Sequence, residues 1–270
     1  MARKLIAGRF ELSLERPLVM GVVNVTPDSF SDGGRFFNRE QAIAHARRLA
    51  DEGADILDIG GESTRPGAAP VSEQEELDRV IPVLEKVSDL CVSIDTRRPG
   101  VMRQVLKAGA SMINDVEALG APGALDAVAK SACAVCLMHK KGEPATMQRD
   151  PHYDDVLREV KAFLNQRIDA AKAAGIAPSR IVVDPGFGFG KTAAHNLTLL
   201  KNLAELSSFP ILVGLSRKST LGRITGRPVD ERLAGSLAMA LLALQAGATI
   251  LRVHDVKETR DVIAVWEACK

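Results

Sequence analysis

Eight short apolar runs recur along this chain, each closing on a polar residue and each followed by a stretch with helical periodicity. Those at 18–23, 56–57, 91–94 and 112–113 close on Asn24, Asp58, Asp95 and Asn114. Those at 134–138, 181–183, 211–215 and 250–251 close on His139, Asp184, Ser216 and Arg252. Short Val- and Ile-rich runs are what strands buried on both faces require. Between them, segments 39–51, 73–86, 100–107, 121–131, 154–174, 195–206, 231–246 and 258–269 repeat apolar residues at helical spacing, as Ala42, Ile43, Ala46, Leu49 and Ala50 do in the first. Several of these end on a glycine (Gly53, Gly109, Gly247), the residue that stops a helix most cheaply. Eight such units in series predict an α/β fold, a single-domain (β/α)8 TIM barrel. An open doubly wound sheet would carry Gly-x-Gly-x-x-Gly after its first strand, and residues 25–34 do not. Barrel chemistry sits where the strands end, so the polar tips mark the active face. A hairpin over 5–14 is expected to cap the opposite end.

The length of 270 residues fits one barrel, and no linker or composition shift divides it, so residues 1–270 read as one domain. Basic and acidic residues number 35 and 34, with no basic block, which argues against a nucleic-acid binder. No run approaches a membrane span and no apolar signal follows the basic N-terminus, so the expectation is a cytoplasmic protein without a membrane partner. Cys133 and Cys136 form a C-x-x-C inside an apolar run. Strand residues three apart point to opposite faces, so the pair reads as buried thiols rather than a redox couple.

The long loop after the first run, Asn24 to Gly34, puts the Asn24 oxygen where it can serve Mg2+ or a phosphate-bound water. In the loop after the second, Gly60 and Gly61 let backbone approach a ligand, and Thr64 and Arg65 can face an anion or a polar aromatic substrate. Asp95, Asn114 and Asp184 suit a planar heterocycle carrying amino and oxo groups, because a carboxylate accepts two N–H bonds and an amide both donates and accepts. Each alone reads equally well as a helix cap. The run Asp184-Pro185-Gly186-Phe187-Gly188-Phe189-Gly190-Lys191-Thr192 lacks the glycine spacing of a phosphate-binding loop. It reads instead as flexible backbone carrying Phe187 and Phe189, either able to line a flat ring. Arg252 and His254, two apart on a strand, point the same way and form a candidate oxyanion clamp, with Lys218 adding a point charge. His45, His152 and His195 show no metal-ligand spacing and read as structural.

VMGVVNVTPDSFSDGG at 19–34 and GADILDIGGESTRPGA at 53–68 closely resemble the two signatures of the dihydropteroate synthase family. SIDT, INDV, CLMH, DPGFGFGK, GLSRKS and RVHDVKET follow in that family's order, so the resemblance runs from about residue 5 to the C-terminus. It implies condensation of 6-hydroxymethyl-7,8-dihydropterin diphosphate with p-aminobenzoate, a folate-biosynthesis step that sulfonamides block. It further implies that Asp95, Asn114, Asp184 and Lys218 hold the pterin, with Met138 and Phe189 near its faces. By the same resemblance Asn24 ligates Mg2+, Arg252 and His254 hold the diphosphate, and Thr64, Arg65, Pro66 and Ser219 border the p-aminobenzoate pocket. Catalysis would then fall to Arg252, His254, Lys218 and Asp95, along a dissociative path, in a homodimer. A corrinoid-dependent methyltransferase barrel or a non-catalytic pterin binder are the alternatives. Such a methyltransferase would not be expected to carry the first two loops, and a non-catalytic copy should show a damaged motif. His139 has no assigned role, and Asp58 is expected to support its own loop.

Overall fold

The structure, a computed structural model, describes residues 3–25, 35–62, 71–143 and 146–270, with only the backbone for residues 35–38. An antiparallel hairpin, β1 (Lys4–Ala7) with β2 (Phe10–Ser13), precedes a parallel sheet of eight strands. These are β3 (Leu18–Asn24), β4 (Ile56–Gly60), β5 (Val92–Asp95), β6 (Met112–Asp115), β7 (Ala134–Met138), β8 (Ile181–Asp184), β9 (Leu212–Val213) and β10 (Ile250–Val253). Neighbours run β8-β7-β6-β5-β4-β3-β10-β9, and a parallel bridge between Val183 and Ile211 joins the two ends into a barrel. The α/β barrel expected from the sequence is therefore present.

Period-two alternation sorts each strand's side chains between two cores. Met20, Ile56, Met112, Ala134, Val182, Leu212 and Ile250 pack together inside the barrel, with Leu5 and Ala7 of the hairpin as its floor. Val19, Leu57, Val92, Ile113, Val135, Ile181, Val213 and Leu251 face the helical layer. Cys136 joins the inner core and Cys133 the outer, both free and buried, and burial raises both thiols above their ordinary pKa. The two thiols are thus buried on opposite sides of the strand layer, as the sequence implied, although Cys133 itself lies one residue before β7.

The helical layer comprises α1 (Arg35–Asp51), α2 (Glu73–Lys86), α3 (Pro99–Lys107), α4 (Ala124–Ala129), α5 (Val156–Ala173), α6 (Ala193–Lys201), α7 (Ser219–Thr225), α8 (Leu233–Gln245) and α9 (Val256–Ala268). Sequence periodicity found all but α7, which at seven residues is too short to show a stripe. α6 opens on a reciprocal capping box between Thr192 and His195. The Gly-Lys-Thr that invites comparison with a phosphate loop thus ends in a helix cap.

Candidate active site

Above the apolar floor the barrel lumen turns polar. Strand register sets Gly60, Asp95, Asn114 and Cys136 side by side, one layer above Asp58 and Ser93. Arg252 enters this lumen from β10 and binds two carboxylates at once: Nε donates to Asp58 Oδ2 at 2.6 Å and Nη2 to Asp95 Oδ2 at 3.0 Å. Asn114 Nδ2 donates to the same Asp58 oxygen at 3.1 Å. Asp58 is therefore not the support of its own loop that its position suggested. β4 runs two residues past it, so it is a mid-strand residue facing inward, fully buried, orienting both Arg252 and Asn114. The signal available was its charge inside an otherwise apolar strand, ILDIG.

The site's electrostatics follow from desolvation set against pairing. Desolvation raises the Asp95 carboxyl to about 7, against the pull of Arg252 and with the help of Asp58. Asp184 is likewise raised by desolvation, opposed by Lys218. Lys218 is lowered to about 8 by desolvation, with Asp184 opposing. Desolvation also pulls on Arg252, but Asp58 and Asp95 outweigh it and hold the guanidinium above its ordinary value.

Lys218 Nζ donates to the Phe187 carbonyl at 2.5 Å and lies 4.8 Å from the centroid of the Phe189 ring. Its approach is set by the preceding turn, in which Arg217 adopts φ 58°, a left-handed conformation that L residues enter at a cost. The Ser236 hydroxyl, accepting from Arg217 N–H at 3.0 Å, and the Arg217–Asp255 ion pair hold that turn. Neither partner was visible to motif reading. Ser219 opens α7 and is exposed beside this turn. The Ser216 hydroxyl, in the turn three residues past β9, accepts from His254 N–H at 3.3 Å and lies 3.0 Å from His254 Nδ1, fixing the imidazole at the rim. Met138 pairs in register with Asp184 and is buried, and Asn24 ends β3 half-buried.

Three sequence expectations change. Phe187 lies in the outer core with 1% of its surface exposed, so of the two phenylalanines Phe189 alone stands by Lys218. The loop 185–191 is not free backbone: Lys191 and Tyr153 bind its carbonyls, as described below. Gly61 has a packing role that the sequence did not suggest, since a Cβ there would sit 2.9 Å from Val80 Cγ1 of α2. Thr64, Arg65 and Pro66, with the loop at 26–34, lie outside the described residues. The base of the loop carrying these three is nonetheless defined: Arg98 donates to both Glu62 carboxylate oxygens, at 2.8 and 3.0 Å, and to the Val71 carbonyl at 2.6 Å. That tie across the loop's base was likewise missed in the sequence.

Carboxylates and an amide facing a polar lumen, with two cations among them, make a receptor for a flat, N–H-rich heterocycle. A family model for pterin-binding enzymes matches residues 20–254. The dihydropteroate synthase of Escherichia coli K12 is 51% identical over 270 residues, covering 98% of this chain and 96% of the relative. A Xanthomonas albilineans dihydropteroate synthase solved with 4-aminobenzoic acid superposes with a TM-score of 0.94 at 54% identity, covering 100% of this chain and 98% of that one. The Burkholderia cenocepacia enzyme complexed with 7,8-dihydropteroate gives 0.91 at 48% identity, covering 99% and 96%. Fold and site thus define a pterin-binding barrel enzyme, a transferase. Within that class the chain belongs to the dihydropteroate synthase family.

Proposed function

We propose that the lumen described above holds 6-hydroxymethyl-7,8-dihydropterin diphosphate and that the rim receives p-aminobenzoate, giving 7,8-dihydropteroate and pyrophosphate. The observation that carries this reading is the lumen set of buried Asp58, Asn114 and Asp184 with half-buried Asp95, Lys218 and Arg252, in which three carboxylates face two cations. Ionised, the five charged groups sum to one negative charge, which favours N–H donors and positive charge in the pterin ring.

Asp95, Asn114, Asp184 and Lys218 bind the pterin edge, with Met138 and Phe189 against its faces. His254 and Arg252 take the diphosphate. Arg252 does so while already paired to Asp58 and Asp95, and so couples the two ends of the substrate. As the C–O bond breaks, its electron pair leaves with pyrophosphate, and the positive charge spreads into a ring lying against Asp95 and Asp184. The amine of p-aminobenzoate, bordered by Thr64, Arg65, Pro66 and Ser219, then forms the C–N bond and releases a proton.

Among the described residues no three His, Cys, Asp or Glu side chains gather to hold a metal. The Asn24 amide oxygen, half-buried at a strand end, fits instead a Mg2+ carried in by the diphosphate, since such ions take few protein ligands beside phosphate oxygens. When bound, the ion supplies positive charge to the leaving phosphate oxygens. The compartment is the cytoplasm: Cys269 is exposed and free, as a reducing environment allows. No described helix is long and apolar enough to cross a membrane.

Pyrophosphate release tests these assignments substrate by substrate. Asn24→Ala is expected to raise the Mg2+ concentration needed for half-maximal rate, and Ser219→Ala to raise KM for p-aminobenzoate alone. His254→Ala should slow turnover more than it weakens binding of a pterin without diphosphate. An unchanged Mg2+ requirement, or equal effects on both substrates, would remove the corresponding role.

A further inference from the structure

Lys191 stands outside the pterin-facing set with 2% of its surface exposed, and burial pulls its ammonium down to about 7 against the opposing charge of Asp184. Its Nζ lies 2.9 Å from the Gly186 carbonyl, 3.0 Å from that of Phe189, 3.4 Å from that of His139 and 2.9 Å from His139 Nδ1. An ammonium has three N–H donors, so the three short contacts saturate it and the longest is shared. For His139 Nδ1 to accept, the ring must be neutral with its proton on Nε2. Burial, helped by the charge of Lys191, keeps it so by pushing its pKa down to about 3. The imidazole is itself held edge-on against Phe163, at 4.9 Å between centroids. His139, the strand tip without a role in the sequence, is thus the seat of a buried lysine.

What Lys191 folds is the loop that furnishes the pterin side of the site. Gly186 N–H donates to Asp184 Oδ1 at 2.7 Å, the Phe187 carbonyl accepts Lys218 Nζ, and the Phe189 ring lies beside the same ammonium. The Gly186 and Phe189 carbonyls, on either side of Phe187, converge on Lys191 while that of Phe187 accepts Lys218, so the two lysines hold one turn between them. Without the buried ammonium the Phe189 carbonyl would lose its donor in a dry interior, and the Gly186 carbonyl would keep only the Phe189 N–H at 3.1 Å.

We propose that Lys191, seated on His139, is a positioning residue for pterin recognition, fixing the backbone of residues 186–189 so that Asp184, Lys218 and Phe189 meet the ring together. The proposal rests on the reading of Asp184 and Lys218 as pterin-binding groups.

The test is Lys191→Met, which keeps length and burial but removes every donor. KM for the pterin diphosphate should rise about tenfold or more, as loss of charge-assisted hydrogen bonds implies. KM for p-aminobenzoate at saturating pterin diphosphate should stay within about twofold, well below one such bond. Should Lys191→Met not fold, His139→Leu carries the same test: it removes the seat that aims Nζ at the Gly186 and Phe189 carbonyls, loosens that grip, and should shift the pterin KM in the same direction. A wild-type pterin KM in the folded variant, or an equal rise for both substrates, overturns the proposal. Lys218→Met is the reference. Loss of pterin affinity there but not in the Lys191 variant sinks the positioning role alone, whereas no loss there sinks the site assignment beneath it.

Discussion

At the scale of single residues, Asp95 and Lys218 are ionisable groups held against their own preference. Asp95 moves up from 3.8 to about 7 and Lys218 down from 10.5 to about 8, each chiefly by desolvation. Between pH 3.8 and 7 the folded state holds the Asp95 proton that the unfolded chain has released, so stability falls as pH rises through that window. Between 8 and 10.5 the unfolded chain holds the Lys218 proton, and stability rises with pH. Near neutral pH the protein therefore carries most of both penalties, which a bound pterin offsets. Affinity for the hydroxymethylpterin alcohol, which lacks the titrating diphosphate, should pass through a maximum between about 7 and 8. In Asp95→Asn the acid limb should vanish and the maximum fall by roughly 1.5–3 kcal/mol, the worth of a hydrogen bond to a charged group. Calorimetric titration across the pH range checks this. An affinity that is flat with pH, or an acid limb that survives the substitution, contradicts the assignment.

Among the elements, the segment after β8 is held by backbone packed on backbone. Gly186 and Gly190 have φ of 67° and 64°, and a Cβ at either would fall on a carbonyl oxygen, of His139 or Lys141 respectively. Backbone lies directly on backbone there, and the Tyr153 hydroxyl donates to the Gly190 carbonyl at 2.9 Å to seal the contact. Gly190→Ala combines a disfavoured φ with a steric clash and should lower stability by about 3 kcal/mol or more. Gly175→Ala, at φ 90° but with open space around the Cβ, bears the φ strain alone and should lose less. Urea unfolding of the two variants compares them directly, and equal losses would mean that the backbone contact contributes little. In the sequence this run looked like a flexible ring-lining loop, because glycine reports conformational freedom without saying what lies against it.

For the molecule as a whole, the conspicuous surface is the outer face of α8. Ala234, Ala238 and Leu242 are exposed at four-residue spacing, and no charged residue occurs in the helix. Leu233, Val229 and Ile224 extend exposed apolar surface along the adjoining turn to α7. An apolar stripe on the solvent side of a helix is the kind of surface an interface uses, and we propose a second copy of this chain as its occupant. On that proposal the wild-type protein sediments as a dimer in analytical ultracentrifugation and Leu242→Asp as a monomer with the lumen intact. A wild-type monomer, or a variant that still dimerises, would refute it.

The sequence by itself determined the (β/α)8 order, the face on which the chemistry sits, the buried C-x-x-C and the family, because strand and helix periods and loop signatures are local properties of the chain. Asp95, Asn114 and Asp184 were legible for the same reason: a polar residue ending an apolar run has a known place in a barrel. Tertiary structure alone decided that Asp58 bridges Arg252 and Asn114, that Phe187 belongs to the core while the Phe189 ring stands by Lys218, and that His139 seats Lys191. These depend on contacts between residues as far as 194 positions apart, which barrel closure creates and no local pattern encodes.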